Sequence, residues 1–272
     1  MRDGKMEQEM NYNIKNASNR DGELRFDPDT HTYTHIGRIE PLTSVTAFIS
    51  SFFDPYDPYF WINKDETISP LQREQMRRDQ DAKGYIARNL GTFLHTQIEK
   101  SFLGEPIETH LYLEAAEGLV AARNFDIRTE MRYFEDFVRD HRLTPYRTEW
   151  MIYDDAHWLA GTLDLLVELP DGTFAIYDWK RSRRMGREQG DLFLPNRSNF
   201  RQKGHGVLAH LDDTPFIHAA LQQNLYRAIL KRNYDIEVSK MYLVILSPSF
   251  SRYHEVEVPR FDNEIKMMLD LY

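Results

Sequence analysis

Four ionisable side chains of complementary chemistry lie close together near the middle of the sequence. Glu149, Asp164, Asp178 and Lys180 occupy a stretch in which apolar and polar residues alternate, and this alternation predicts three consecutive β-strands. Side chains on a strand point alternately to its two faces, so Asp178 and Lys180 should lie on the same face. Carboxylates hold hard divalent cations, and a neighbouring ammonium can orient a water molecule or stabilise negative charge. The stretch is therefore typical of a site for metal-assisted phosphodiester hydrolysis.

The elements predicted around this stretch would place it on a sheet between helices. A Pro-Asp-Gly turn at 170–172 separates the second and third predicted strands. Helical patterns precede the strands at 43–53, 69–103, 110–124 and 127–142, and two more follow them at 215–233 and 260–271. Further strands are predicted at 241–246 and 252–258. This order predicts an α/β fold in which a mixed central sheet is flanked by helices.

The composition is that of a globular protein without disulfides or membrane spans. Hydrophobic residues make up 41% of the 272 residues, and no run reaches the roughly 18–20 apolar residues of a transmembrane helix. The absence of cysteine excludes disulfides, cysteine zinc sites and iron–sulfur clusters. The first residues lack the apolar core of a signal peptide. We expect a soluble, intracellular protein without a membrane partner, with a disordered polar tail over 1–20 and a single domain over 21–272.

Basic residues concentrate directly after the lysine. Residues 180–203 contain eight basic and two acidic residues, a net charge of +6 in a chain whose total is −9. This local excess favours contact with phosphates, and a solvated loop is the alternative. The candidates for nucleic-acid contact are Arg181, Arg183, Arg184, Arg187, Arg201 and Lys203. Three more basic residues recur on the long predicted helix, where a solvated face explains them almost as well: Arg73, Arg77 and Arg88.

Two pairs of polar residues are spaced to share one face of a helix. His95 and Glu99 are four residues apart, as are Gln222 and Tyr226. Imidazole together with carboxylates suits manganese or magnesium, although a single histidine in a helix is more often a hydrogen-bonded structural residue. Gln222 and Tyr226 would contact substrate or brace the strands. Glu149 opens the first strand, where a glutamate is usually exposed but could here lie beside the aspartate of the next strand.

The sequence contains four short motifs: G-x-x-x-H at 91–95, G-x-x-D at 161–164, D-x-K at 178–180 and Q-x-x-x-Y at 222–226. A lone D-x-K occurs by chance in many proteins, whereas four motifs in this order are specific. Together they resemble the PD-(D/E)xK nuclease superfamily. The chain is most similar to its RecB-like exonuclease branch, which includes mitochondrial genome-maintenance exonucleases and viral relatives. An H-x-Y at 31–33 and P-L-T-S-V-T at 41–46 also match, so the resemblance covers roughly residues 24–258.

The resemblance implies a restriction-endonuclease-like catalytic core over 91–258. A helical N-terminal elaboration at 24–90 would precede it, and a basic insertion at 181–215 would interrupt it. The resemblance also implies an Mg²⁺ or Mn²⁺ ion ligated by His95, Asp164, Asp178 and the backbone carbonyl of Trp179. Lys180 would position the attacking water, while Gln222 and Tyr226 would organise the substrate or the lysine. Glu99 and Glu149 would support these ligands or bind a second ion.

The function implied by the resemblance is hydrolysis of DNA by an exonuclease that acts on single-stranded ends in replication, recombination or repair. The same core also performs structure-specific or endonucleolytic cleavage of DNA or RNA, and fold does not choose among these. A catalytically dormant nucleic-acid-binding module is a further alternative. An unrelated metal hydrolase of small molecules is disfavoured by the basic segment. Unpaired bases could stack on aromatic residues, for which the candidates are Trp158, Trp179 and Phe200.

Overall fold

The structure is a computed structural model that describes residues 11–28, 30–199 and 202–272. The helices are α1 (Tyr12–Lys15), α2 (Val45–Ser50), α3 (Phe60–Lys64), α4 (Pro70–Phe102), α5 (Arg128–Asp140), α6 (Pro215–Tyr234) and α7 (Asp262–Asp270). The strands are β1 (Leu24–Asp27), β2 (Thr32–His35), β3 (Thr43–Ser44), β4 (His110–Leu113), β5 (Arg123–Asp126), β6 (Pro145–Asp154), β7 (Leu159–Glu168), β8 (Phe174–Lys180), β9 (Gly186–Gln189), β10 (Leu192–Pro195), β11 (Val238–Ile245) and β12 (His254–Glu257). None of these helices combines the length and the apolar content that crossing a membrane requires.

Six of the described strands form one mixed sheet at the centre of the protein. Its order is β12, β11, β8, β7 and β3, and β6 pairs with β7 as well. β11 runs parallel to β8, and β3 runs parallel to β7, whereas the other neighbours are antiparallel. Helices lie on both faces of this sheet. The α/β class with a mixed central sheet flanked by helices, predicted from the sequence, is confirmed.

β8 and β3 share one edge of β7 and leave a gap between them. β8 pairs with Leu165–Glu168, and β3 pairs with Leu159–Ala160. The ladder between β7 and β8 ends where Leu165 faces Tyr177, and residues 178–180 continue along β11 instead. A buried backbone N–H or carbonyl without a partner is costly. The backbone groups of Trp179 that face this gap therefore need partners from outside the sheet.

Residues of β8 alternate between two hydrophobic cores, one on each face of the sheet. Ile176 belongs to the core beneath α2, α6 and α7, whereas Tyr177 and Trp179 belong to the core beneath α4 and α5. Because side chains alternate along a strand, Asp178 and Lys180 share the face of Ile176. The lysine accordingly lies in a cleft beside α6.

The C-terminal half of α4 packs onto the sheet. The helix begins with a capping box in which Ser69 and Gln72 bond to each other's backbone, with Pro70 at its first position. Its apolar contacts begin about twenty residues later, where Leu90, Leu94 and Ile98 enter the core. Each fully buried aliphatic side chain of this kind contributes about 1.5–3 kcal/mol. This packing fixes the turn of α4 that carries the predicted metal-binding histidine.

The segment 11–20, which the sequence predicts to be disordered, instead contacts β6. The side-chain amide of Asn13 accepts a hydrogen bond from the backbone N–H of Thr148 at 2.9 Å and donates one to the carbonyl of Thr148 at 3.2 Å. These contacts are polar, so the low hydrophobicity of the segment gave no sign of them. Residues 1–10 of the predicted tail lie outside the described residues.

The stretch 110–124, predicted to be a helix, forms the antiparallel hairpin of β4 and β5, so this prediction is wrong. Glu117 and Gly118 at its turn have positive φ angles of 46° and 84°, which a helix does not allow. A Cβ at position 118 would also collide with the carbonyl of Arg78 on α4. Close packing of this turn against α4 therefore overrides the helical propensity of the alanines between the strands.

Within the predicted basic insertion at 181–215, residues 186–195 lie at the edge of the sheet. β9 and β10 form an antiparallel hairpin. Glu188 on β9 accepts hydrogen bonds from the backbone and hydroxyl of Ser251 at 2.9 and 2.7 Å and lies 2.8 Å from Nε2 of His254. The hairpin is thereby attached to the loop and strand at the β12 end of the sheet.

A buried ion pair between α5 and the end of β8 gives a stability prediction. Glu130 is 1% exposed, and Oε1 of Glu130 lies 2.7 Å from both Nε and Nη2 of Arg181. Arg181→Ala should lower the free energy of unfolding by about 3 kcal/mol, because it leaves a buried carboxylate without its cation. Urea denaturation measures this change. Arg183→Ala, at an exposed neighbouring arginine, is the control and should cost less than about 0.5 kcal/mol; equal effects would contradict the account.

Candidate metal centre and its cleft

The backbone of Trp179 is satisfied by two of the predicted site residues. Its N–H donates to Oδ2 of Asp164 at 2.8 Å, and its carbonyl accepts from Nε2 of His95 at 3.0 Å. Asp164 lies on β7 and His95 on α4, so these bonds join three elements where β7 and β8 diverge. The indole, 1% exposed, packs edge-on against Phe134 and Phe137. The gap in the sheet is thus closed by the side chains that the sequence predicts to bind metal.

His95 is oriented by this bond so that its second nitrogen faces two carboxylates. Nδ1 lies 3.4 Å from Oδ2 of Asp164 and 3.6 Å from Oε1 of Glu149. One ligand atom from each of the three residues lies within 4.8 Å of the others. Two carboxylate oxygens and an imidazole nitrogen are a donor set that divalent cations accept. His95, Glu149 and Asp164 could therefore hold a metal ion, and we call them the metal group.

Glu149 reaches the metal group from a left-handed backbone conformation inside a strand. Its φ is 44°, which costs a residue other than glycine about 1–3 kcal/mol. The pairing of β6 with β7 passes from Thr148 directly to Trp150 at this point. Thr148 is fixed by Asn13 of α1 and by its own hydroxyl, which donates to the carbonyl of Asp164 at 2.8 Å. These bonds stabilise the strained backbone that directs the carboxylate of Glu149 into the cleft.

Asp178 and Lys180 form an ion pair beside the metal group. Nζ of Lys180 lies 2.7 Å from Oδ2 of Asp178, and the two side chains are 25% and 5% exposed. Among the described residues no well-oriented hydrogen bond reaches this oxygen, so its compensation is the ion pair. The shared face predicted for the two residues is therefore confirmed. Asp178 does not belong to the three-residue metal group, whereas Glu149 does.

Burial and mutual charge set the protonation of these groups. Burial disfavours the imidazolium of His95, but Asp164 and Glu149 outweigh it and raise the pKa of His95 well above its ordinary value. Burial would raise the pKa of Asp164, yet His95 and Lys180 outweigh it, and that pKa is lowered. Burial raises the pKa of Glu149 to about 7 and that of Asp178 to about 6. Burial opposes the charge of Lys180, but Asp178 and Asp164 raise its pKa.

Gln222 and Tyr226 on α6 meet β7 at the glycine of the G-x-x-D motif. Nε2 of Gln222 donates to the hydroxyl of Tyr226 at 3.0 Å. A Cβ at Gly161 would lie 2.5 Å from Cε1 of Tyr226 and 2.6 Å from its hydroxyl, so only glycine lets the ring approach this closely. Burial, reinforced by Tyr33, raises the pKa of Tyr226 well above its ordinary value. The phenol therefore stays neutral.

These residues line a cleft with two adjoining lobes. The first, about 500 Å³, is lined by the metal group, by Glu99, and by Phe26, His31 and Tyr33 of the β1–β2 hairpin; we call it the metal lobe. The second, about 520 Å³, contains Lys180; we call it the lysine lobe. Thr46 and Gln222 line both lobes. Glu99 thus faces the same cleft as His95 but lies outside the metal group.

The basic residues predicted to contact nucleic acid divide into paired and exposed ones. Arg181 is paired with Glu130, and Lys203 lies 3.4 Å from Asp212. Arg183, Arg184 and Arg187 are exposed, and Arg184 lines the lysine lobe. Arg201 lies outside the described residues.

The three basic residues of α4 serve local contacts. Arg73 donates to the carbonyls of Ile62 and Asp65, and Arg77 donates to Oδ1 of Asn63 at 2.6 Å. These bonds hold α3 and the residues after it against α4. Arg88 forms an ion pair with Glu117 in the turn of the β4–β5 hairpin. The structure therefore gives each of them a partner within the chain.

Of the aromatic residues proposed from the sequence for stacking, Trp158 and Trp179 do not line the cleft. Trp179 is core, and the indole N–H of Trp158 lies 3.1 Å from the carbonyl of Pro41. Phe200 lies outside the described residues. Tyr56, which sequence reasoning missed, is 68% exposed and lines the lysine lobe. Its position between two prolines, in the sequence Asp-Pro-Tyr-Asp-Pro at 54–58, is the signal that the sequence offers.

No family model matches the sequence, and no curated protein matches it. A solved structure described as "Crystal structure of SSO0001" aligns with 86% of this chain and 74% of its own chain, at 16% sequence identity and a TM-score of 0.34. A likeness at this level carries no argument about fold or function.

The close approach of Tyr226 to β7 gives a second prediction. Gly161→Ala should lower the free energy of unfolding by about 1–3 kcal/mol, because the added methyl group displaces the buried ring. Gly91→Ala is the matched control, since a Cβ there meets nothing within 4 Å and alanine favours a helix by about 0.5–1 kcal/mol. Chemical denaturation of both variants measures the difference. Equal stability of the two would contradict the packing described for Gly161.

The protonation of the metal group predicts how its metal affinity depends on pH. His95 and Glu149 carry protons in the neutral range, given the raised pKa of His95 and a pKa of about 7 for Glu149. A cation must displace these protons, so its affinity should rise by about tenfold or more per pH unit between roughly pH 6 and 7. Calorimetric titration with Mn²⁺ at several pH values measures this slope. Glu149→Gln should reduce the slope, and a pH-independent affinity would contradict the assignment.

Proposed function

We propose that the protein is a divalent-metal-dependent nuclease that hydrolyses DNA phosphodiester bonds and acts as an exonuclease on single-stranded ends. The observation that carries this proposal is the metal group lying next to the Asp178–Lys180 ion pair. A phosphate between them would meet a bound cation on one side and an ammonium on the other. Three of the four motifs that resemble the PD-(D/E)xK nuclease superfamily supply His95, Asp164, Asp178 and Lys180, and this resemblance supports the same reaction.

Mg²⁺ or Mn²⁺ is the ion proposed for the metal group. Carboxylate oxygens suit both ions, and manganese accepts the imidazole of His95 more readily than magnesium, which is the harder cation and prefers oxygen ligands. Asp178 would supply a further carboxylate, because one of its oxygens has only the ion pair with Lys180. The carbonyl of Trp179 keeps one lone pair free of the bond from His95. When bound, the ion would lower the pKa of a water molecule and stabilise negative charge on the phosphate.

Lys180 acts in this mechanism as a cation. Its raised pKa keeps the ammonium protonated at neutral pH, so it donates hydrogen bonds to a phosphate oxygen or to the attacking water and does not accept a proton. Asp178 holds the ammonium in place at 2.7 Å. Preorganised charge of this kind stabilises the transition state because it does not reorient during the reaction.

Gln222 and Tyr226 lie where the two lobes meet the strands. Gln222 lines both lobes and donates to the hydroxyl of Tyr226, and the neutral phenol can in turn donate its own proton in a hydrogen bond. These groups would position a phosphate between the metal group and Lys180. Positioning of reacting groups is a large part of enzymatic rate enhancement.

The direct test is a titration of Mg²⁺ and Mn²⁺ against end-labelled single-stranded, duplex and circular DNA. We expect metal-dependent loss of linear single strands from their ends, with circles intact. Asp178→Asn should reduce the rate by at least about a hundred- to a thousandfold, since it removes charge that acts on the transition state. Thermal unfolding should remain cooperative, because asparagine has nearly the size of aspartate and keeps a side-chain oxygen that can accept a hydrogen bond from Lys180.

Glu168→Gln is the matched control, since Glu168 is an exposed carboxylate on the same strand as Asp164. It should keep full activity. Cleavage of circular DNA would show that the protein is an endonuclease and not an exonuclease. Binding of DNA without cleavage under either metal would favour a dormant module. Full activity of Asp178→Asn would refute the catalytic assignment.

A further inference from the structure

The lysine lobe has an exposed aromatic wall. Tyr56 is 68% exposed, and the guanidinium carbon of Arg184 lies 5.6 Å from the centre of its ring. Both residues line the lobe that contains Lys180. An aromatic face with a guanidinium above it is a surface on which a flat ring can stack.

The chain around Tyr56 is stiff. Pro55 and Pro58 fix their own φ angles near −65° and restrict the residues that precede them. Just before this segment, Phe53 is 4% exposed, and its ring centre lies 4.2 Å from that of His218 with the two rings tilted by 36°. Tyr56 is therefore held at the rim by an anchored, restricted backbone, and little conformational freedom remains to be lost when a ligand binds.

Arg184 is a cation at the rim of the lysine lobe that is available to contact an anion. The two acidic residues that line it are paired, Asp54 with His205 at 3.0 Å and Asp213 with His218 at 2.8 Å. Among the described residues, no carboxylate forms an ion pair with Arg184; its contact is the ring of Tyr56. A guanidinium in this position suits a phosphate, which it can contact through two N–H groups.

The lysine lobe also continues the metal lobe. Thr46 and Gln222 line both, so a phosphate placed between the metal group and Lys180 would have its adjoining nucleoside directed into one lobe or the other. A volume of about 520 Å³ lies within the roughly 300–1,000 Å³ of clefts that hold small organic ligands. The space therefore fits a nucleotide.

We propose that the lysine lobe is a nucleotide subsite in which an unpaired base stacks on Tyr56 while Arg184 contacts the backbone phosphate. This inference rests on the proposed nuclease function and names the residues that would bind its single-stranded substrate. A base inside a duplex has both faces covered by its neighbours, so only an unpaired or terminal base offers a free face to the tyrosine. The subsite thus selects single-stranded nucleic acid.

The test is the affinity of the full chain for a fluorescent single-stranded DNA oligonucleotide. It is measured by anisotropy with Ca²⁺ in place of Mg²⁺, and the strand is confirmed intact on a gel. Tyr56→Ala should raise the Kd by roughly five- to a hundredfold, the usual effect of losing one stacking partner. Tyr56→Phe keeps the ring and should bind like the wild type. Tyr112→Ala, at a tyrosine 60% exposed on β4, is the matched control and should leave the Kd unchanged.

A second pair of variants separates Arg184 from general charge. Arg184→Ala should weaken binding and reduce the dependence of log Kd on log salt by about one contact. Arg183→Ala removes the same charge from the neighbouring exposed position, which does not line the lobe, and should have a smaller effect. Equal effects of these two variants would overturn the role of Arg184.

The outcomes distinguish this subsite from the nuclease function. If the wild type cuts DNA and Asp178→Asn does not, while Tyr56→Ala binds as tightly as the wild type, the subsite is rejected and the function stands. If the wild type neither binds nor cuts DNA, both proposals fall. If Tyr56→Ala and Tyr56→Phe weaken binding equally, the hydroxyl rather than the ring is responsible, and stacking is rejected.

Discussion

The site depends on one constraint of the sheet. Where β7 and β8 diverge, the backbone of Trp179 has no strand beside it on the β7 side with which to form hydrogen bonds. Its N–H and carbonyl are buried and need partners, and Asp164 and His95 supply them at 2.8 and 3.0 Å. The same two bonds fix the carboxylate of Asp164 and orient the imidazole so that Nδ1 faces the carboxylates of Asp164 and Glu149. A structural requirement and a chemical one are therefore met by the same atoms. Replacing either side chain would both remove a ligand and leave a buried backbone group without a partner.

The same arrangement concentrates charged side chains in a partly buried cleft. Two carboxylates share a space of a few ångströms with His95, and a third carboxylate lies beside Lys180. Burial, reinforced by Asp164, raises the pKa of Glu149, and attraction to Asp164 and Glu149 outweighs burial and raises the pKa of His95. A divalent cation would be attracted to these carboxylates in the same way, with greater charge. The group could therefore exchange its protons for a cation, and the left-handed backbone at Glu149 directs one of its carboxylates into this space.

Much of the fold and of the site could be predicted from the sequence because the responsible signals are local. Alternating apolar residues identified the strands, and parity placed Asp178 and Lys180 on one face. The sequence left open whether Glu149 supports the other ligands or binds an ion itself, because its place in the metal group depends on a positive φ that no residue pattern predicts. The hairpin at 110–126 was missed because the packing of its turn against α4 outweighs the helical propensity of its alanines.

Tyr56 was missed for a similar reason, since its exposure at a cleft depends on where β8, α2 and α6 meet. For Arg73, Arg77 and Arg88, spacing alone could not separate a binding surface from contacts within the chain.

The central claim is that His95, Glu149 and Asp164 form a site for a divalent cation, and the anomalous scattering of manganese tests it most directly. Crystals grown with Mn²⁺ should show an anomalous peak bounded by Nδ1 of His95 and the carboxylates of Glu149 and Asp164. The metal–ligand distances should be slightly above the 2.0–2.1 Å typical of magnesium, at about 2.2 Å. The bond from Nε2 of His95 to the carbonyl of Trp179 should remain intact. A peak elsewhere in the cleft, or none at saturating Mn²⁺, would contradict the account.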